Sequence, residues 1–305
     1  MADQPTFSGL RTFLQLPDHR DEKPDVTIVG IPFDLGTTNR PGSRFGPAGI
    51  RDASLMLMDG DHPELKVSPV SGLSCIDAGD LNIVNGYLDQ SLELIEQQVR
   101  AIDGHLVVLG GDHTVTLPIL RALAARHGKG ISLVHFDAHV DTWKDTFGAP
   151  VGHGTPFHYA AQEGLIDPKA SIQIGIRSPV ENAIMDYTRN ELGFHVISAE
   201  DVHTGGIDSV VAAIKKTVGD NAVYLTFDID AIDPSQAPGT GTPEIGGLFT
   251  WQALAILKKL GSLNWVGMDM VEVAPAYDQA QITSLAAATF VWTYLCLLAK
   301  KQADS

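Results

Sequence analysis

Apolar residues along this chain fall into two alternating patterns. Short, nearly continuous apolar runs occupy residues 26–30, 73–77, 105–109, 131–136, 171–176, 194–197, 222–227 and 265–271, and each reads as a β-strand. Between them lie longer stretches of helical character. Leu92, Ile95 and Val99 give residues 88–102 the spacing of an amphipathic helix. Helices are also read over 114–126, 157–163, 183–192, 207–218, 250–260 and 282–299, and another opens at Pro47 and carries Ile50, Ala53, Leu55 and Met58. Strands that are apolar throughout, rather than at every second position, are covered on both faces, and their alternation with helices implies a parallel sheet. The expectation is one α/β domain over residues 1–305, doubly wound, with a mostly parallel sheet and helices on both faces. Residues 1–23 are polar and irregular and read as a surface arm with a short helical piece.

Composition narrows the class. The 305 residues are 44% hydrophobic and 19% charged, enough apolar material for a full core. A formal net charge of −16 argues against broad binding to nucleic acid or to an anionic membrane, and suits a cationic substrate. Cys75 and Cys296 both lie in apolar segments and read as buried thiols. No signal peptide is visible, and the apolar run over 285–299 is short for a bilayer, so a cytoplasmic protein is expected.

The chemistry sits where strands end. Gly110-Gly111-Asp112-His113, Asp137-Ala138-His139-Val140-Asp141, Asp228-Ile229-Asp230 and Glu272 each follow an apolar run, and in open α/β sheets that carboxyl edge is where ligands bind. Asp137, His139 and Asp141 recur at every second position, a spacing that puts side chains on one face of an extended strand. Together His113, Asp137, His139, Asp141, Asp228 and Asp230 offer two imidazoles and four carboxylates. That is too many for one divalent ion and suits two sharing bridging oxygens. The oxygen-rich, thiolate-free set favours Mn²⁺, with Ni²⁺, Co²⁺ and Zn²⁺ left open. Two ions roughly 3.5–4 Å apart can hold a hydroxide at neutral pH.

Other residues take supporting parts. Asp112 reads as a helix cap or support, and His135 is expected on the opposite side from Asp137, as a core or supporting histidine. Glu272, a lone carboxylate after an apolar strand, requires a cationic partner. A substrate guanidinium is one answer and Arg40 or Arg44 another. His153, in a Gly-flanked loop, has the chemistry to move a proton to a leaving amine. The loop 34–45 is too long for a plain connection.

These motifs, in this order, resemble the ureohydrolase (arginase/agmatinase) family, most closely its bacterial agmatinase branch. The resemblance also takes in Pro238-Gly239-Thr240-Gly241-Thr242-Pro243 and Val271-Glu272-Val273-Ala274-Pro275-Ala276-Tyr277-Asp278. It implies an arginase-like fold in which His113 and Asp141 bind one Mn²⁺, His139 and Asp230 bind the other, and Asp137 and Asp228 bridge. Asp141 would also orient the hydroxide, His153 would shuttle protons and Glu272 would hold the guanidinium. Urea and an amine would be the products, and a homotrimer or homohexamer the assembly. Arginases carry Asn soon after the second motif, where Thr142-Trp143 stands here, which points to a substrate without an α-carboxylate. Agmatine is the expected substrate. Trp143 and Gly152 are expected to form the pocket wall, and Val140 and Gly152, which depart from the common agmatinase residues, keep 4-guanidinobutyrate or another small or N-substituted guanidine as the alternative.

Overall fold

Residues 8–304 are described by the computed structural model. Eight strands form one sheet: β1 (Val26–Gly30), β2 (Cys75–Asp80), β3 (His105–Leu109), β4 (Ser132–Phe136), β5 (Ile172–Ile176), β6 (His195–Ser198), β7 (Ala222–Asp228) and β8 (Asn264–Val271). Their spatial order is β2-β1-β3-β8-β7-β4-β5-β6, and every pairing is parallel. The three strands that carry most of the candidate chemistry, β8, β7 and β4, are neighbours in the middle. Their register sets His135 beside Thr226, and Thr226 beside Asp269.

Two apolar cores flank the sheet because alternate strand residues point to opposite sides. Val134 and Phe136 enter one core, where Phe136, Phe227 and Phe290 stack with centroids 4.9 and 4.6 Å apart. Leu133 enters the other, with Leu106, Val108 and Phe157. Among the described residues ten α-helices surround the sheet: α1 (Gly46–Ser54), α2 (Pro69–Gly72), α3 (Leu88–Arg100), α4 (Thr116–His127), α5 (Pro156–Gln162), α6 (Asn182–Asp186), α7 (Ala199–Gly205), α8 (Ile207–Val218), α9 (Thr250–Lys258) and α10 (Ile282–Ala303).

The chain departs from its hydrophobic pattern in a few places. α7 is absent from the pattern because it rests on local chemistry: Ser198 and Asp201 form a reciprocal capping box over only seven residues. The helix read over 183–192 is α only to Asp186 and continues as a π-turn over Tyr187–Leu192. α10 runs to Ala303, 22 residues in all, and is long and apolar enough to cross a bilayer, contrary to the reading of its apolar run as too short. Its apolar window is 72% buried, which fits a helix covering the sheet. Nor is the N-terminal arm merely superficial. Residues 1–7 lie outside the described part, but Phe13, Leu14 and Leu16 are fully buried, and Phe13 N–H donates to Asp77 Oδ2 at 2.7 Å. Arg51 Nε reaches that same oxygen at 2.8 Å, so a buried ion pair ties the arm to β2 and α1.

Candidate dinuclear metal centre

All the chemistry lies at the carboxyl edge of the sheet. β3 ends in Gly110 and Gly111. A Cβ on Gly111 would stand 1.8 Å from the Phe33 carbonyl oxygen, so only glycine lets the turn pass beneath the loop 34–45. Asp112 Oδ1 accepts from Thr114 N–H at 2.9 Å and caps the turn that presents His113. Its Oδ2 accepts from Gly36 N–H at 2.7 Å and anchors the overlying loop. Burial, and then the nearby Glu272, push the Asp112 carboxyl up to about 6.

His113 Nδ1 points into a nest of carboxylates, 2.9 Å from Asp141 Oδ2, 3.2 Å from Asp137 Oδ2 and 3.3 Å from Asp228 Oδ2. Its Nε2 contacts Thr226 Oγ1 at 2.8 Å, which fixes the ring and leaves Nδ1 to the carboxylates. A few ångströms away, His139 Nδ1 lies 3.2 Å from Asp137 Oδ1 and 3.1 Å from Asp230 Oδ2. Asp137 therefore serves both imidazoles, one oxygen to each. Two groups of side chains have ligand atoms within 4.8 Å of one another, His113–His135–Asp137–Asp141 and Asp137–His139–Asp230, and Asp137 belongs to both.

The donor set fits two divalent ions. His113 Nδ1 faces three carboxylate oxygens yet forms no well-aligned hydrogen bond to any of them, an arrangement one proton cannot satisfy and one cation can. Electrostatics says the same. Burial alone would discharge His113 and His139, but the surrounding carboxylates raise both well above the ordinary histidine range. Burial, followed by Asp230 and Asp137, raises Asp228 well above the carboxylate range. So much buried negative charge calls for positive charge to balance it.

Backbone geometry supplies the convergence. β4 stops at Phe136, so Asp137, His139 and Asp141 come from a loop rather than from alternation along a strand, and Asp141 holds φ +50°. Asp230 Oδ1 accepts from Ala138 N–H at 3.0 Å and stitches this loop to the turn after β7. His135, expected to face away, lies two positions before Asp137 and so on the same side. Its Nε2 is 2.7 Å from Asp137 Oδ2, its Nδ1 is 3.2 Å from Gln173 Nε2, and its ring packs on Phe157. Gln173 donates to it, so the His135 Nε2–H is the proton directed at Asp137. The ring is therefore a neighbour of the metal ligands rather than a core residue remote from them.

Glu272 also holds positive φ, +64°, and turns back over the end of β8. Its Oε1 accepts from His113 N–H and from His153 Nδ1, both at 2.9 Å. Its Oε2 is buried and has no hydrogen-bond partner among the described residues. Neither arginine considered for it pairs with it: Arg44 pairs with Asp34, its Nε 2.6 Å from Oδ1, and the Arg40 guanidinium lies over the Tyr277 ring at 5.3 Å. His153 Nε2 meets Thr38, 2.7 Å from Oγ1 and 3.2 Å from the backbone nitrogen. Burial pulls this imidazole down, but Glu272, then Asp112 and Asp141, lift it to about 9.

A cavity of about 420 Å³ opens above the cluster. His139, Asp141, Asp228 and His153 form its inner part, and Trp143, Asp145, Phe147 and Glu181 are also among its walls. Trp143 Nε1–H donates to Glu181 Oε2 at 3.2 Å. Gly152 is buried beneath Thr146, where a Cβ would stand 2.5 Å from the Thr146 hydroxyl, and Gly154 and Thr146 form the wall in its place. Val140 is likewise buried, outside the lining, and its carbonyl accepts from Gln173. Thr38, Glu181 and Thr242 also line the cavity; Thr242 falls in the 238–243 stretch of the family resemblance, Thr38 in an unusually long loop, and Glu181 carried no signal in the sequence.

A parallel sheet with two overlapping His/Asp ligand sets at its carboxyl edge defines a dinuclear metal hydrolase. Residues 24–296 match the arginase family. An agmatinase from Chromobacterium violaceum is 45% identical over 301 residues, covering 97% of this chain and 91% of its own. A guanidinobutyrase from Pseudomonas aeruginosa is 41% identical, covering 97% and 94%. Among solved structures, one titled as a hypothetical agmatinase from Burkholderia thailandensis superposes with a TM-score of 0.92 at 43% identity, over 98% of this chain and 93% of that one. Proclavaminate amidino hydrolase from Streptomyces clavuligerus gives 0.91 at 37%, over 97% and 99%. The chain belongs to the arginase family, and it is a ureohydrolase acting on a guanidino C–N bond with a dinuclear divalent metal centre.

Proposed function

We propose that this ureohydrolase converts agmatine to putrescine and urea, with two Mn²⁺ held by His113, Asp137, His139, Asp141, Asp228 and Asp230. The observation that carries the substrate reading is the charge of the cavity. Glu272 lies outside the lining but bonds His153 in it, and its Oε2, buried with no hydrogen-bond partner among the described residues, suits one cationic end; Asp145 and Glu181 in the wall suit another. Among the described residues no Lys or Arg lines the cavity. Of the nearby cations, Lys144 lies over the Tyr187 ring and Arg177 is spent on backbone carbonyls, those of Asp230 and Glu244 among them. A substrate with a cation at each end is complementary to these carboxylates, whereas a tail carboxylate would face Asp145 and Glu181. The oxygen-rich ligand set supports Mn²⁺.

Two divalent ions held by these residues would supply a hydroxide at neutral pH. The chain's own residues do the rest. Glu272 orients the guanidinium by paired, charge-assisted hydrogen bonds. Asp141 serves as a ligand on the cavity side and directs the nucleophile. His153 gives the leaving nitrogen its proton as the C–N bond breaks. We further propose a homotrimer or homohexamer in the cytoplasm, as the family resemblance implies.

Urea release from agmatine, 4-guanidinobutyrate, arginine and butylguanidine, by protein stripped of metal and reloaded with Mn²⁺, Ni²⁺, Co²⁺ or Zn²⁺, tests this reading. Agmatine with Mn²⁺ should give the highest kcat/KM. A higher value for 4-guanidinobutyrate, the substrate class named by one relative, would replace agmatine.

A further inference from the structure

The loop over residues 34–45 is built to hold one side chain against His153. Asp34 Oδ2 accepts from Gly42 N–H at 2.9 Å, Asp112 Oδ2 accepts from Gly36 N–H at 2.7 Å, and Asn39 Nδ2–H donates to the Gly241 carbonyl at 2.9 Å. His153 N–H in turn donates to the Gly36 carbonyl at 3.1 Å. The loop is pinned on both sides of Thr38, which lines the cavity.

On the His153 ring, Nδ1–H is committed to Glu272 Oε1, so Nε2 is the nitrogen free to gain and lose a proton. Thr38 offers that nitrogen two different partners. When Nε2 is bare it can accept from the Thr38 backbone N–H at 3.2 Å. When it is protonated it can donate to Thr38 Oγ1 at 2.7 Å. A shuttle must be held in one place in both protonation states, since a ring that swings away after losing its proton must be repositioned in each turnover.

We propose that Thr38 is the positioning residue of the proton shuttle, holding His153 Nε2 in both protonation states: its hydroxyl accepts from the charged ring, and its hydroxyl and backbone N–H donate to the neutral one. The inference rests on the hydrolase reading above. In the step it serves, the C–N bond of the guanidine breaks, its electron pair stays on the leaving nitrogen, and that nitrogen takes the Nε2 proton. The imidazole is left neutral, to be recharged from water. Glu272, Asp112 and Asp141 are the carboxylates near the ring.

Thr38→Val removes the hydroxyl and keeps the backbone N–H, Thr38→Ser keeps both, and Thr38→Ala is a second deletion with less bulk. With agmatine, Val and Ala should lower kcat by about tenfold or more, the scale of a weakened general acid, and leave KM within about threefold. Ser should stay within about threefold of wild type. With an N-aryl guanidine, whose weakly basic amine leaves without full protonation, Val and Ala should match wild type within about threefold. A loss equal for both leaving groups, a loss confined to KM, or full activity in Val and Ala would overturn the proposal. Imidazole ¹⁵N spectra of His153 give a readout independent of turnover: the Nε2 resonance should move in Val and Ala and not in Ser. If wild type releases no urea from any guanidine, the hydrolase reading fails, and these spectra still decide the role of Thr38.

Discussion

Glu272→Gln isolates the group that reads the guanidinium. The carboxylate has two duties at Oε1, accepting from His113 N–H and His153 Nδ1, and one open position at the buried Oε2. Glutamine can meet only one of these sets. With its amide oxygen in the place of Oε1, the NH₂ group faces a substrate that carries donors alone. With the amide reversed, NH₂ meets two protein donors. Either way a buried guanidinium loses its anionic partner, which costs about 2–5 kcal/mol. That corresponds to a fall in kcat/KM of about 30-fold to several thousandfold. The substitution also removes the charge that holds His153 at about 9, so the shuttle weakens in the same variant. Steady-state urea release with agmatine measures the loss, and metal content measured alongside should stay at the wild-type value, because Glu272 faces the backbone of His113 rather than its ring. A metal-replete Glu272→Gln enzyme within about fivefold of wild-type kcat/KM would refute the assignment.

Three further outcomes are expected. Asp137→Ala takes a carboxylate oxygen from both imidazoles, so metal bound per chain should fall from two to fewer than one on dialysis, read by plasma emission; retention of both ions would show that Asp137 does not bridge. Gly111→Ala drives a Cβ into the Phe33 carbonyl and should cost about 1–3 kcal/mol in denaturant unfolding, with lowered metal affinity, since His113 follows the same turn; an unchanged midpoint would show that the turn yields freely. His105 gives a pH signature away from the site. Burial, reinforced by His127 and Lys301, depresses it to about 4. The unfolded chain takes up a proton near pH 6.5 and the folded chain does not, so stability should fall by up to about 3 kcal/mol between pH 6.5 and 4. His105→Gln should lack that part of the loss, and identical pH curves for the two proteins would argue against a neutral buried His105.

The sheet was legible because its strands are apolar on both faces, a pattern helices of this length do not share. Placement of chemistry at strand ends followed from the parallel order of those strands. What the sequence concealed depends on side chains meeting across long separations, or on short-range polar bonds. Thr38 reaches His153 across 115 positions with no periodic signal to announce it. α7 is held by a capping box rather than by an apolar face. The alternation argument for Asp137, His139 and Asp141 reached a convergent cluster, but the chain achieves it by leaving the strand and bending at Asp141. Applied evenly, the same spacing would have drawn in His135.

The position of Glu272 has a bearing on how such an enzyme can diversify. One carboxylate contacts the backbone of His113, a proposed metal ligand, and the imidazole of His153, the proposed shuttle, so no change there alters a single property. The rim is different. Trp143, Asp145 and Phe147 lie on the loop between β4 and α5, beyond its last proposed ligand Asp141, and Trp143 touches Glu181 from a separate loop. Substitutions at the rim can therefore change which tail is accepted one residue at a time, while the floor evolves only as a block. A lineage of this architecture should spread across guanidines of many tails and keep a single way of breaking the C–N bond.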